Sequence, residues 1–244
     1  NAGIAAANAI EACGLARRGF TSAVDGLGGP QGFVPAHHPQ HDSSEAILPD
    51  GSETSFMFAD VRHKLHACCH GAHAMIEGLR NLVAAHDITA QNLAALSIRV
   101  NPRWLKVCDI KAPRTGLEVK FSYVFLAAMV LHHIDTAAYQ SYDDSICGNA
   151  GLIATASKIT VIGDEAISDG AVTVSADTQT GVHHTTEFDL MDPIDLSVLG
   201  PRLVAKASVL IGPARAEKIW ESMDDLDSMP AAQMAGCLQP LQSA

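Results

Sequence analysis

At 244 residues, with 48% hydrophobic and 18% charged side chains, the chain suits one large domain or two small ones and is too apolar to be disordered. A formal net charge of -11 leaves no basic patch for a phosphate backbone, so nucleic acid is not an expected partner. No apolar run approaches the roughly 20 residues that cross a bilayer, and neither a membrane nor a leader segment is expected.

Cys13, Cys68, Cys69, Cys108, Cys147 and Cys237 are scattered without zinc-ribbon spacing. They fit reduced thiols in a cytoplasmic protein. The chain opens on Asn1, and residues 1 to 17 already read as an alanine-rich helix with nothing upstream to cap it. The expectation is a chain that begins inside a larger protein, with this helix buried in a bundle. Gly19 is placed to end it.

Residues 25 to 54 are rich in Gly and Pro and read as a connection with at most one helical turn. His37, His38 and His41 fall there. A solvated polar loop is the plainer reading, since a metal site would need a fourth ligand that is not identifiable.

The densest chemistry follows. Arg62-His63-Lys64-Leu65-His66-Ala67-Cys68-Cys69-His70-Gly71-Ala72-His73 holds four histidines (His63, His66, His70 and His73), a lysine and two adjacent thiols. It runs into Ala74–Val83, whose apolar spacing is helical. Leu96–Val100 alternates as a strand, and residues 113 to 118 form a turn into an apolar helix over 119 to 131. A short helix is expected over 135 to 142. Strands are expected at 157 to 162, 171 to 176 and 183 to 190, the last two as a hairpin around Thr178–Gly181. Asp192-Pro193 then opens helices over 199 to 210, 214 to 223 and 231 to 238.

The fold class read from this order is α+β: a mostly helical domain interrupted by a smaller α+β lid with an antiparallel sheet. The divisions are 1–57 for part of the helical domain and its loop, 58–190 for the lid, and 191–244 for helices returning to the helical domain.

Three segments in order resemble one family. Lys64-Leu65-His66-Ala67-Cys68-Cys69 followed by His73 resembles a K-x-x-P-x-C/H-x-x-x-H segment. Pro113-x-Thr115-Gly116-Leu117-Glu118-x-Lys120-Phe121-Ser122 resembles a P-x-T-x-x-E-A-K-F-S helix entry. Asn1-Ala2-Gly3-x-Ala5-Ala6 and Gly19-Phe20-Thr21 resemble an H-x-G-x-A-A and G-F-T helix. The family is MmgE/PrpD, which includes 2-methylcitrate dehydratase, cis-aconitate decarboxylase and iminodisuccinate epimerase.

The resemblance covers the C-terminal half of a typical member. It implies a homodimer and cofactor-free lyase or isomerase chemistry on a small di- or tricarboxylic acid, in a cleft between domains. Ala67 departs from the family's Pro, and Asn1 from its His. The family's upstream histidines, aspartate and one lysine would lie before Asn1, supplied by an N-terminal half in the same or another chain.

Removing a proton alpha to a carboxylate builds an enolate-like charge, which needs a base and a nearby cation or donors. Lys64 is the natural cation. Cys69 stands where the decarboxylase branch carries a histidine, and His73 follows at i+4. Tyr123 can donate a hydroxyl to a carboxylate. Catalytic roles therefore fall to Lys64, Tyr123, His73 and Cys69, and substrate binding to Ser122, Cys68 and His70. No cofactor or metal is expected.

A rival reading puts Zn²⁺ on His66, His70, His73 and Cys69 through their i, i+3 and i, i+4 spacings. A third makes the chain a non-catalytic or incomplete subunit that needs an upstream half.

Overall fold

The computed structural model describes residues 2–37 and 61–239. His38, His41 and the domain boundary expected at 57/58 lie outside the described residues. The chain divides into two units, Asn1–Val61 and Arg62–Ala244.

The first unit carries α1 (Ala2–Arg17) and a short α2 (Phe33–His37). Alanine-rich sequence makes α1 helical with little side-chain entropy to lose, and Gly19 at φ 86 turns the chain after it. The burial expected for α1 is not found in this chain: Ile4 is 67% and Ile10 76% exposed. Its small and apolar residues lie all round the helix, and among the described residues they are left largely exposed.

The second unit is α+β. Its elements are α3 (His73–His86), β1 (Leu93–Val100), α4 (Leu105–Cys108), α5 (Gly116–Val119), α6 (Tyr123–Leu131) and α7 (Ala150–Ala156). Then come β2 (Ile159–Gly163), β3 (Ala171–Thr178), β4 (His183–Asp189), α8 (Leu196–Ile211), α9 (Pro213–Glu221) and α10 (Ala231–Leu238).

The strands lie in the order β2-β1-β3-β4. The hairpin β3/β4 forms as its sequence dictates, with Val174 opposite Thr186. β1 pairs antiparallel with β3, Ile98 against Val174. β1 and β2, however, run parallel, Ile98 against Val161. The sheet is therefore mixed, which corrects the expected antiparallel one. The reason lies in the connection: the stretch from Val100 to Ile159 winds through α4 to α7, and a long helical crossover returns a strand parallel.

Alternation puts Leu96, Ile98 and Val100 of β1 and Val172, Val174 and Ala176 of β3 into the core. α3 lays its apolar face, Met75, Ile76, Leu79 and Leu82, over them. Gly78 lets the helix approach, since a Cβ there would lie 3.3 Å from both Phe188 and Val172. α3 ends at Asp87, in the left-handed region at φ 49. α6 is apolar on every side and buried along its whole length, the centre of the core.

Helix starts follow their caps. Ser122 Oγ accepts from Phe125 N, Asn149 Oδ1 from Leu152 N, and Asp195 Oδ1 from Ser197 N. α7 escaped the sequence reading because Gly148 and Gly151 dilute its pattern, although Asn149 is a good cap. The helix expected over 135 to 142 is only a 3₁₀ turn, Tyr139–Tyr142.

Gly116, from the second motif, sits against backbone. A Cβ there would fall 1.7 Å from Tyr142 O. Gly116→Ala is expected to cost about 1–3 kcal/mol or more through this overpacking, read as a lowered midpoint in urea or thermal unfolding.

Candidate active site

The segment from Arg62 starts without regular structure, bends at His66–Cys68, makes a 3₁₀ turn at His70–Ala72 and enters α3. Neighbouring loops fix it through its backbone. Ala67 N donates to Thr136 O at 2.9 Å and Cys69 N to Lys120 O at 3.0 Å. Tyr123 OH donates to Gly71 O at 2.9 Å. Trp104 packs on Gly71 so closely that a Cβ would lie 2.3 Å from its Cε3. The first and second motifs therefore meet in space: Lys120 and Tyr123 brace the turn between Cys69 and Gly71.

Beneath the segment runs a buried polar chain. His66, 2% exposed, bonds Glu77 Oε1 through Nε2 and Thr136 Oγ1 through Nδ1, both at 2.8 Å. Arg202, from α8, donates from one nitrogen to both oxygens of Glu77 at 2.7 Å. Burial alone would raise the Glu77 pKa, but the hydrogen bonds of His66 and Arg202 outweigh it and hold the carboxyl down at about 2.

His73 is 1% exposed, and its Nε2 has no hydrogen-bond partner among the described residues. Burial first, then the neighbouring His66, lowers its pKa to about 3, so it is a neutral imidazole at physiological pH. Its ring sits 5.0 Å from that of His66 and 5.3 Å from that of His70.

At the surface of the segment, Lys64 is exposed and among the described residues reaches Cys68 O, at 3.5 Å. Lys206 of α8 donates to the Lys64 carbonyl. Partial burial and then the Lys64 ammonium lower the pKa of Lys206, a sign that two cations lie close together. His70 is half-buried. Burial first, and then Lys64, moves its pKa below the ordinary 6.5.

Cys69 is half-buried beside it and touches Cys108. Cys68 is buried, and burial followed by the adjacent Cys69 pushes its thiol up to about 12, so it stays protonated. Burial also holds the Tyr123 hydroxyl well above its ordinary range.

Of the residues expected from sequence, Lys64, Cys69 and His70 come together on the accessible side. Cys68, His73 and Tyr123 lie beneath them, with internal neighbours. Ser122 is fully buried and its Oγ caps α6. The zinc reading loses His66, whose two nitrogens are engaged by Glu77 and Thr136. Among the described residues no group of three or more His, Cys, Asp or Glu is arranged to hold a metal.

Sequence reasoning missed Glu77, Thr136, Lys120, Arg202 and Lys206. Arg202 and Lys206 carried a signal, as the two cations of an otherwise apolar helix, one turn apart. Lys120 stood inside the second motif; its Nζ lies 4.5 Å and 5.0 Å from the ring centroids of Tyr139 and Tyr142.

The pattern that describes the MmgE/PrpD C-terminal domain matches residues 66–214. No curated protein matches the chain. No helix among the described residues is long and apolar enough to cross a membrane. The match begins two residues after Lys64, takes in the buried chain from His66 to Arg202, and covers more than half of the 244 residues. The chain belongs to the MmgE/PrpD family, and residues 66–214 are its C-terminal domain.

Proposed function

We propose that the protein is a cofactor-independent lyase or isomerase that removes a proton alpha to a carboxylate of a small di- or tricarboxylic acid. Members of the family are in general enzymes of the dehydratase or lyase type. The observation that carries the reading is the placement of an exposed ammonium, Lys64, beside a half-buried imidazole, His70, that burial and Lys64 keep neutral.

In this reading Lys64 holds the substrate carboxylate as a point charge, and His70 takes the alpha proton. The electron pair of the broken C–H bond moves onto the carboxylate, and the nearby ammonium stabilises the developing charge. Collapse then expels a beta substituent with its bonding pair in a lyase, or takes a proton from solvent on the opposite face in an isomerase. Cys69, half-buried next to His70, lines the same side of the segment. Tyr123 holds the segment in shape from below through Gly71 O, Ser122 caps α6, and Cys68 and His73 pack inside.

A neutral base must lose its own proton before it can act. His70 has a pKa below 6.5, so the rate is expected to be level at pH 7 to 8 and to fall on acidification with a midpoint below 6.5. His70→Gln is expected to remove that limb and lower the rate by about 10²–10⁴-fold. A pH–rate profile of both proteins checks this.

A second reading is an incomplete subunit, favoured by a family match that falls on the C-terminal domain. Proton NMR in D₂O on citrate, 2-methylcitrate, cis-aconitate and substituted succinates tests the two together. Conversion by the chain alone supports the first. Conversion only after an upstream half is added supports the second.

A further inference from the structure

We propose that the cleft between Leu65–His66 and α8 is a binding site for a second carboxylate of a polycarboxylic acid, held by Lys206 and Arg80. The inference rests on the reading of the chain as an enzyme of di- or tricarboxylic acids. It adds where the second carboxylate of such an acid is held, with the first on Lys64.

The cleft encloses about 210 Å³, with Leu65, His66, Arg80, Arg202, Lys206 and Val209 on its walls. That is below the roughly 300 Å³ at which sites for drug-sized ligands begin, and it suits a small acid. Two of the polar residues are engaged, His66 with Glu77 and Thr136, and Arg202 with Glu77. Lys206 donates only to the Lys64 carbonyl, and Arg80 has no hydrogen bond or ion pair among the described residues.

The opposing acid is Asp135, which also lines the cleft and whose Oδ1 accepts from Ala137 N at 2.8 Å. In a chain of net charge -11, two cations without a carboxylate partner facing one hollow mark a place for an anion. Leu65, Ala205 and Val209 supply apolar wall for the carbon skeleton between the carboxylates. Arg80 also lines a neighbouring hollow of about 370 Å³ with His133 and Thr136, so the cleft is open to solvent at that end.

Calorimetric titration of the full chain with propane-1,2,3-tricarboxylate at low ionic strength tests the proposal, with sulfate as the competing simple anion. Binding is expected, weaker for sulfate. Loss of a charge-assisted bond in Lys206→Gln or Arg80→Gln is expected to weaken it about ten-fold or more.

Both side chains are accessible, and Arg80 lies on the outer face of α3, so circular dichroism of the Arg80 variant should match the parent. No binding by the parent, equal affinity for sulfate, or unchanged affinity in both variants would overturn the proposal. The titration reads binding without turnover. Tricarboxylate binding with no deuterium exchange on any acid would overturn the catalytic reading and leave the cleft standing.

Discussion

Lys64→Ala is expected to lower exchange and turnover by about 10²–10³-fold or more, the scale of losing one group that stabilises an oxyanion. The fold should not notice. The side chain is exposed, its contact with Cys68 O is long at 3.5 Å, and the carbonyl that receives Lys206 belongs to the backbone and survives the change. Surface substitutions of this kind stay within about ±0.5 kcal/mol. Initial rates and a thermal scan on the same preparation separate the two effects. Lys64→Arg is expected to recover only part of the rate, because a planar fork cannot replace a compact ammonium at the same place. Full activity in Lys64→Ala would reject Lys64 as the cation.

The second large effect falls on stability. Glu77→Gln keeps the shape of the side chain and removes the charge that His66 and Arg202 share. Breaking one member of a buried ion pair costs about 3–5 kcal/mol. The Arg202 side chain is 33% exposed, which screens part of the interaction, so about 2–3 kcal/mol is the expected loss.

The pH dependence has a definite sign. The Glu77 pKa is depressed in the folded state, from 4.5 to about 2. Its contribution is therefore complete above pH 4.5 and disappears as pH falls through about 2. Urea midpoints of parent and Glu77→Gln should be well separated at pH 7 and converge across that acid range. A constant gap from pH 7 to pH 2 would mean that packing, rather than charge, holds the pair.

Much of the secondary structure was legible because its signals are local. α3, α6 and α8 carry apolar spacing, and β3 and β4 carry alternation around a Thr178–Gly181 turn. What local signals do not hold is strand order. β1 and β2 look alike whether they pair parallel or antiparallel, and only the helical crossover between them decides.

Burial of α1 is beyond local signals for a related reason. Small apolar residues say that a helix can be covered, not which element covers it.

The site divides along the same line. Lys64, Cys69 and His70 were legible as one dense segment. Their supports were not, since Glu77, Thr136, Arg202 and Lys206 come from three other places in the chain, and each alone is an ordinary polar residue. The difference between His70 and His73 is also tertiary. Adjacent in sequence pattern, one is half-buried beside Lys64 and the other lies beneath it at 1% exposure.

The most direct measurement of the central claim is deuterium incorporation at the carbon alpha to a carboxylate, followed by proton NMR in D₂O with the parent protein and Lys64→Ala side by side. Proton abstraction assisted by Lys64 predicts loss of the alpha-proton signal of one acid of the panel with the parent and its persistence with the variant. Equal loss in both samples, or turnover of an acid with no deuterium at that carbon, would contradict it.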